Sequence, residues 1–301
     1  MVTQSRFSHY PWLFFLILCV LPIGCSGDSA PTEGQDPAQI EKSPKRGLAY
    51  NLTASEDLEA LKNGVSWWYN WYFETSAPAG YHEAYQMEFL PMLWGGNSAN
   101  DFSRVKSFIL SHAEVKYLLV LNEPNLLDQA NRTPIEAAAD WVAYEQLIAE
   151  LAAQQRTVYL VGPAITWGTM PDYQDPVVWL DTFYEAYRFA NGGRDPKIDY
   201  LAFHWYDYGL EAQLDRLQKY GKQIWITEMA NWNAQINSYD KQAEQMQQMV
   251  ALCESRADVF RYAWFIGRGN LPDNHYTYLL NPTPGELNAL GELYLSLPYA
   301  K

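Results

Sequence analysis

"YLLVLNEPN", Tyr117–Asn125, is the stretch from which the fold is read. An apolar run reaches Leu121 without a polar break and passes at once into an amide, a carboxylate and a proline. Continuous rather than alternating hydrophobicity marks a strand buried on both faces, as in a parallel sheet. A charge at the end of such a strand is costly to desolvate unless it is paired or used. Glu123 is therefore both a fold marker and a candidate functional group.

Seven more short apolar runs lie along the chain. They are "GLAYN" (Gly47–Asn51), "VSWWYNW" (Val65–Trp71), "FLPMLWG" (Phe89–Gly95) and "TVYLVGPAI" (Thr157–Ile165), then "IDYLAFHWY" (Ile198–Tyr206), "QIWITEMA" (Gln223–Ala230) and "VFRYAWFIG" (Val259–Gly267). Polar, helix-like stretches separate most of them. Thr133–Gln155 carries a Thr cap, proline in the first turn, Glu136 three residues after Thr133, and apolar residues at helical spacing. Asp240–Ser255 shows the same spacing. Eight strands with intervening helices predict an α/β fold, a (β/α)8 TIM barrel forming one catalytic domain over 47–301. A doubly wound open sheet is the competing arrangement, but no glycine-rich phosphate loop follows the first strand.

A net charge of -14 argues against nucleic acid as a partner, since phosphates need a basic surface. The 12 Trp and 22 Tyr exceed ordinary core needs and suit the flat apolar faces of sugars. Near the N-terminus, Arg6 and His9 precede an apolar run, Pro11–Gly24. It is shorter than the roughly twenty residues of a membrane span and reads as a signal peptide over 1–24. "LPIGCS", Leu21–Ser26, resembles a bacterial lipoprotein box ending at Cys25, with Pro22 in the position where leucine is usual. The expectation is export with Cys25 as a lipid anchor to a bacterial membrane; ordinary secretion is the alternative. Residues 25–46 are polar and predict a flexible tether. Cys253 is then left without a partner and reads as a small buried apolar side chain. A monomer is expected.

In a barrel of this kind, functional side chains sit at the C-terminal strand ends. Glu123 closes the fourth run and Glu228, in "WITEMA", closes the seventh, so a closed barrel aims both acids across one mouth. Two carboxylates flanking a glycosidic bond are the requirement for its hydrolysis. Their separation decides the stereochemistry: about 5–5.5 Å for retention, about 6.5–9.5 Å for inversion. The ordered set "GLAYN", "WWYNW", "LPMLWG", "LNEPN", "GPAIT", "FHWY", "ITEMAN" and "YAWFIG" resembles glycoside hydrolase family 128, the clan A β-1,3-glucanases, over Gly47–Lys301. That resemblance implies Glu123 as general acid/base and Glu228 as nucleophile in a retaining double displacement. It also implies β-1,3-glucan as substrate, cleaved internally. The alternatives are another clan A glycosidase, β-1,4-specific or exo-acting, and a surface glucan-binding barrel with little catalysis.

Around this pair, Asn122 is a candidate to bond the sugar 2-hydroxyl. His204 and Tyr206, closing the sixth run, are candidates to orient a catalytic carboxylate. Trp94, Trp167, Trp205, Trp232 and Trp264 fall near strand ends and are candidate sugar platforms, Trp264 as the pocket floor by resemblance to the clan. Tyr69 and Trp71 are weaker candidates. No cofactor or metal is expected: the histidines are scattered, and "YHEAY" lacks the second histidine of a zincin helix.

Overall fold

The computed structural model describes residues 39–96, 98–269 and 274–300. The signal peptide, Cys25 and the first part of the tether lie outside the described residues. In chain order the elements are β1 (Arg46–Ala49), α1 (Ser55–Leu61), β2 (Trp67–Tyr69), α2 (Tyr81–Tyr85), β3 (Glu88–Phe89), β4 (Met92–Leu93), α3 (Ala99–Ser111) and β5 (Tyr117–Val120). They continue with α4 (Pro134–Ala153), β6 (Tyr159–Ile165), α5 (Pro176–Ala190), β7 (Tyr200–Trp205), α6 (Leu210–Leu217), β8 (Ile224–Met229), α7 (Tyr239–Ser255), β9 (Val259–Trp264) and α8 (Ala289–Ser296).

All strand pairs are parallel, in the order β3-β2-β1-β9-β8-β7-β6-β5-β4, and the sheet curls in a TIM-like manner. The sequence predicts eight strands, and the described residues form nine because one run is divided. β3 and β4 are successive halves of "EFLPML", interrupted at Leu90 and Pro91, where proline has no N–H to give a ladder. The first half pairs with β2 and the second with β5. Leu90 N still donates to Trp68 O at 2.9 Å, and Pro91 O accepts from Leu119 N at 3.0 Å.

Two buried layers follow from the strand alternation. Ala49, Trp67, Tyr69, Met92, Leu119, Val161, Ala164, Ala202, Trp225 and Ala263 form one cluster. Their neighbours Leu48, Trp68, Leu118, Leu160, Leu201, Ile226, Tyr262 and Trp264 belong to a second cluster shared with the helices. Small and large residues complement each other in the first cluster. A Cβ on Gly47 would lie 2.2 Å from the Trp67 ring, so the glycine makes room for the indole.

The helix at 134–153 starts as the sequence predicts. Thr133 accepts from Glu136 N while the Glu136 carboxylate accepts from Thr133 N, with Pro134 in the first turn. The last part of the expected tether, 39–46, is docked rather than free. Lys42 Nζ donates to the carbonyls of Lys62, Val65 and Tyr85, and Ser43 Oγ donates to Glu254 at 2.5 Å. Arg46, buried inside β1, donates to Tyr262 Oη and to the carbonyls of Tyr294 and Leu297, tying the first strand to the C-terminal helix.

Candidate active site

Glu123 is delivered by an irregular strand end. Leu121 N donates to Leu93 O at 2.9 Å and Asn122 N to Trp94 O at 2.7 Å, on the β4 side. One residue later Glu123 N donates to Ala164 O at 2.8 Å, on the β6 side. The switch is made with left-handed backbone at Leu121 (φ 56°) and Glu123 (φ 45°). Each such conformation costs about 1–3 kcal/mol for a non-glycine residue, strain that the surrounding structure must hold. Asn125 provides part of the hold. Its buried side chain donates to Thr166 O at 2.6 Å, and its carbonyl accepts from Thr169 N and Met170 N. Residue 168 is glycine because a Cβ there would sit 2.2 Å from Asn125 O.

Glu228 is the penultimate residue of β8 and is buried. Its Oε1 accepts from Tyr69 Oη at 2.7 Å and from Trp71 Nε1 at 2.8 Å, and its Oε2 accepts from Tyr206 Oη. Burial, reinforced by Glu228, pushes both tyrosine hydroxyls well above their ordinary range, so they remain protonated donors. Both Tyr69 and Trp71, the weaker candidates in the sequence, thus touch a central carboxylate directly. Tyr69 closes β2, whereas Trp71 lies two residues beyond it on left-handed backbone (φ 61°), a placement that strand alternation in "WWYNW" does not announce.

His204 lies between the two acids. Its Nδ1 is 2.8 Å from Glu123 Oε1 and 3.4 Å from Glu228 Oε2. Burial alone disfavours charge on the ring, but Glu228 and Glu123 together outweigh it and hold His204 above its usual value. One ligand-type atom from each of Glu123, His204 and Glu228 lies within 4.8 Å of the others. One carboxylate oxygen of Glu123 thus comes within 4.8 Å of one of Glu228, so the two acids share a single site. The same grouping has the donor types for a cation. The neutral donors on both Glu228 oxygens and the imidazole between the acids equally describe a proton-sharing site.

An open cleft of about 970 Å3 contains this centre. Asn122, Glu123, His204, Tyr206, Glu228, Trp94, Trp167, Trp205 and Trp232 all line it. Asn122 Nδ2 donates to Gln129 Oε1 at 3.2 Å, while its buried Oδ1 has no hydrogen-bond partner among the described residues. Trp167 is 51% exposed, and the guanidinium of Arg216, itself paired with Asp175, lies over its ring. Trp232 stacks on Tyr206 at 4.1 Å and on His275 at 4.5 Å. Trp205 is largely core, with its indole N–H on Asp207 O.

Trp264 is the correction. It is fully buried outside the cleft, donates to Thr277 O at 2.9 Å and packs against Tyr294. Strand alternation places Ala263 in the other cluster and Trp264 against the helices. The residue that reaches the cleft is Phe265, with Ile266. Its ring stands 5.7–5.9 Å from those of Trp71, Tyr206 and Trp232. The chemistry of tryptophan favours position 264 as a platform, but alternation along the strand turns position 264 toward the helices and position 265 toward the cleft. Thr166, Asp128, Gln129, Asp207 and Tyr208 also line the cleft without a motif to announce them.

The profile described as "Glycosyl hydrolase catalytic core" matches residues 47–294. Alkali-sensitive linkage protein 1 of Schizosaccharomyces pombe is 30% identical over 269 residues, covering 84% of this chain and 45% of that protein. The chain thus spans a little under half the length of that curated relative. Among solved structures, a family 128 (subgroup II) endo-β-1,3-glucanase from Pseudomonas viridiflava superposes with a TM-score of 0.81 at 51% identity, over 86% of this chain and all of that one. A subgroup II endo-β-1,3-glucanase from Sorangium cellulosum gives 0.72 at 32% identity, over 85% of this chain and 100% of its own.

Proposed function

The chain belongs to the glycosyl hydrolase catalytic core family, and from that premise we propose that it is a retaining, endo-acting β-1,3-glucan hydrolase. The observation that carries the mechanism is the approach of the Glu123 and Glu228 oxygens to within 4.8 Å across one open cleft. In this reading Glu228 Oε2, on the side facing Glu123 and His204, attacks the anomeric carbon. Glu123 gives a proton to the departing glycosidic oxygen as that bond breaks. Water then attacks the same carbon, Glu123 takes its proton, and the bond to Glu228 breaks. Asn122 lines the cleft beside Glu123, and in this reading its side-chain amide bonds the sugar 2-hydroxyl. Similarity to two endo-β-1,3-glucanases and the open cleft support the substrate and internal cleavage.

The same reading takes Glu88–Leu93 as one interrupted strand, which makes nine strands the eight of a (β/α)8 barrel. Export, a lipid on Cys25 and a monomeric state belong to the proposal on the strength of the sequence alone. Cys25→Ser tests the anchor, which requires native protein in the membrane fraction and the variant outside it.

The central test follows product anomers by NMR during hydrolysis of laminari-oligosaccharides, with curdlan, cellulose and xylan as comparison polymers. The β-anomer appears first if the enzyme retains. An initial α-product, or turnover of the β-1,4 polymers alone, overturns the reading.

A further inference from the structure

We infer that the indole N–H of Trp71 acts in the second half of the reaction, as a donor to Glu228 when that carboxylate leaves the sugar. This rests on the double-displacement reading above and assigns a step within it. Trp71 Nε1 is 2.8 Å from Glu228 Oε1, and Tyr69 Oη is 2.7 Å from the same oxygen. The other oxygen, Oε2, takes Tyr206 Oη and faces His204, which in turn bonds Glu123. The two oxygens are thus differently placed. Oε2 is linked through His204 to the acid/base and is taken here as the attacking oxygen, which leaves Oε1, with Tyr69 and Trp71, as the ester carbonyl. Trp71 adopts left-handed backbone (φ 61°), an arrangement a tryptophan rarely takes without support. Its ring packs edge-on against Tyr69 and Phe265, which hold the indole with its nitrogen on Oε1.

Both donors on Oε1 are neutral, so Glu228 gains no fixed positive charge there. In the glycosyl-enzyme, Oε2 is bonded to the anomeric carbon and Oε1 is an uncharged ester carbonyl. Water attacks the carbon and gives its proton to Glu123; the carbon–Oε2 bond breaks, and its electron pair returns to Glu228. Negative charge then spreads over both oxygens. A hydrogen bond to an ionised acceptor is roughly twice as strong as one to a neutral acceptor. The Trp71 N–H therefore binds the leaving carboxylate more tightly than the ester, and that difference lowers the barrier to breakdown. In the first step the same difference favours the free carboxylate over the ester, so the N–H does not accelerate attack. Its benefit is confined to deglycosylation.

The test uses aryl laminari-oligosaccharides with a good leaving group, so that breakdown of the intermediate limits turnover. Trp71→Phe removes the N–H. Incorporating benzothienylalanine at the same position removes it while keeping the bicyclic shape, which guards against a folding defect. The expected result for both is a fall in kcat of about tenfold, with KM falling in proportion. kcat/KM should then stay within about threefold, and intact-mass spectrometry should show the covalent glycosyl-enzyme accumulating at steady state. Trp71 as a stacking platform only would raise KM and leave kcat unchanged. A fall in kcat/KM parallel to kcat, with no trapped species, likewise overturns the inference. Glu228→Gln is run alongside. If that variant turns over, the underlying mechanism fails; if it is inert while the Trp71 variants behave as wild type, only the Trp71 assignment falls.

Discussion

Replacing Trp264 by phenylalanine separates a core residue from a site residue. Trp264 is fully buried, its N–H donates to Thr277 O at 2.9 Å, and its ring lies 6.1 Å from that of Tyr294. Phenylalanine lacks about two methylene equivalents of apolar surface, worth about 1.6 kcal/mol at ~0.8 kcal/mol each, before the cavity is counted. The buried Thr277 carbonyl also loses its partner, which costs about 1–3 kcal/mol. Together these give about 3–5 kcal/mol. A domain of this size loses about 2–4 °C per kcal/mol, so Tm should fall by about ten degrees. The assay pairs thermal melting by circular dichroism with kcat on laminari-oligosaccharides, measured well below the transition. A kcat within about twofold of wild type is expected, because no Trp264 atom borders the cleft. Phe265→Ala supplies the contrast, with a modest change in Tm and a clear loss of kcat/KM. Were Trp264→Phe to melt within about two degrees of wild type yet lose tenfold or more in kcat, the indole would belong to the site and the strand-face argument would be refuted.

Glu123→Ala should be slow on natural glucan and rescued by azide on substrates with activated leaving groups, yielding a β-glycosyl azide; absence of both rescue and that product removes Glu123 as acid/base. Trp167→Ala should weaken long laminari-oligosaccharides by about tenfold and short ones little, since a face contact of some 60 Å2 is worth about 1.5 kcal/mol; equal loss at every chain length would mark it as something other than an outer platform. His204 gives a pH-dependent test with a defined sign. Its value is raised in the folded state, so its stabilisation is fully present below the unfolded value near 6.5 and is lost as pH rises through the folded value. The difference in urea midpoint between wild type and His204→Asn should therefore be largest at acidic pH and shrink with rising pH; a constant difference would show that His204 remains uncharged.

Local patterns carried a large part of this protein in the sequence alone. Continuous apolar runs such as "YLLVL" announced two-sided burial, because a strand covered on both faces has no polar face to alternate. The Thr133–Glu136 capping box announced its helix, since the two groups satisfy each other within one turn. Glu123 and Glu228 stood out because a carboxylate after an apolar strand needs a reason to be there. Three features required the folded chain. The division of "EFLPML" depends on two different strands claiming its halves, a long-range competition that no window of sequence contains. The spacing of the two acids and the seat of His204 between them depend on how the curled sheet brings β5, β7 and β8 together. The choice of Phe265 over Trp264 at the cleft depends on which face of β9 turns inward, and a one-residue register change reverses that face while leaving composition untouched.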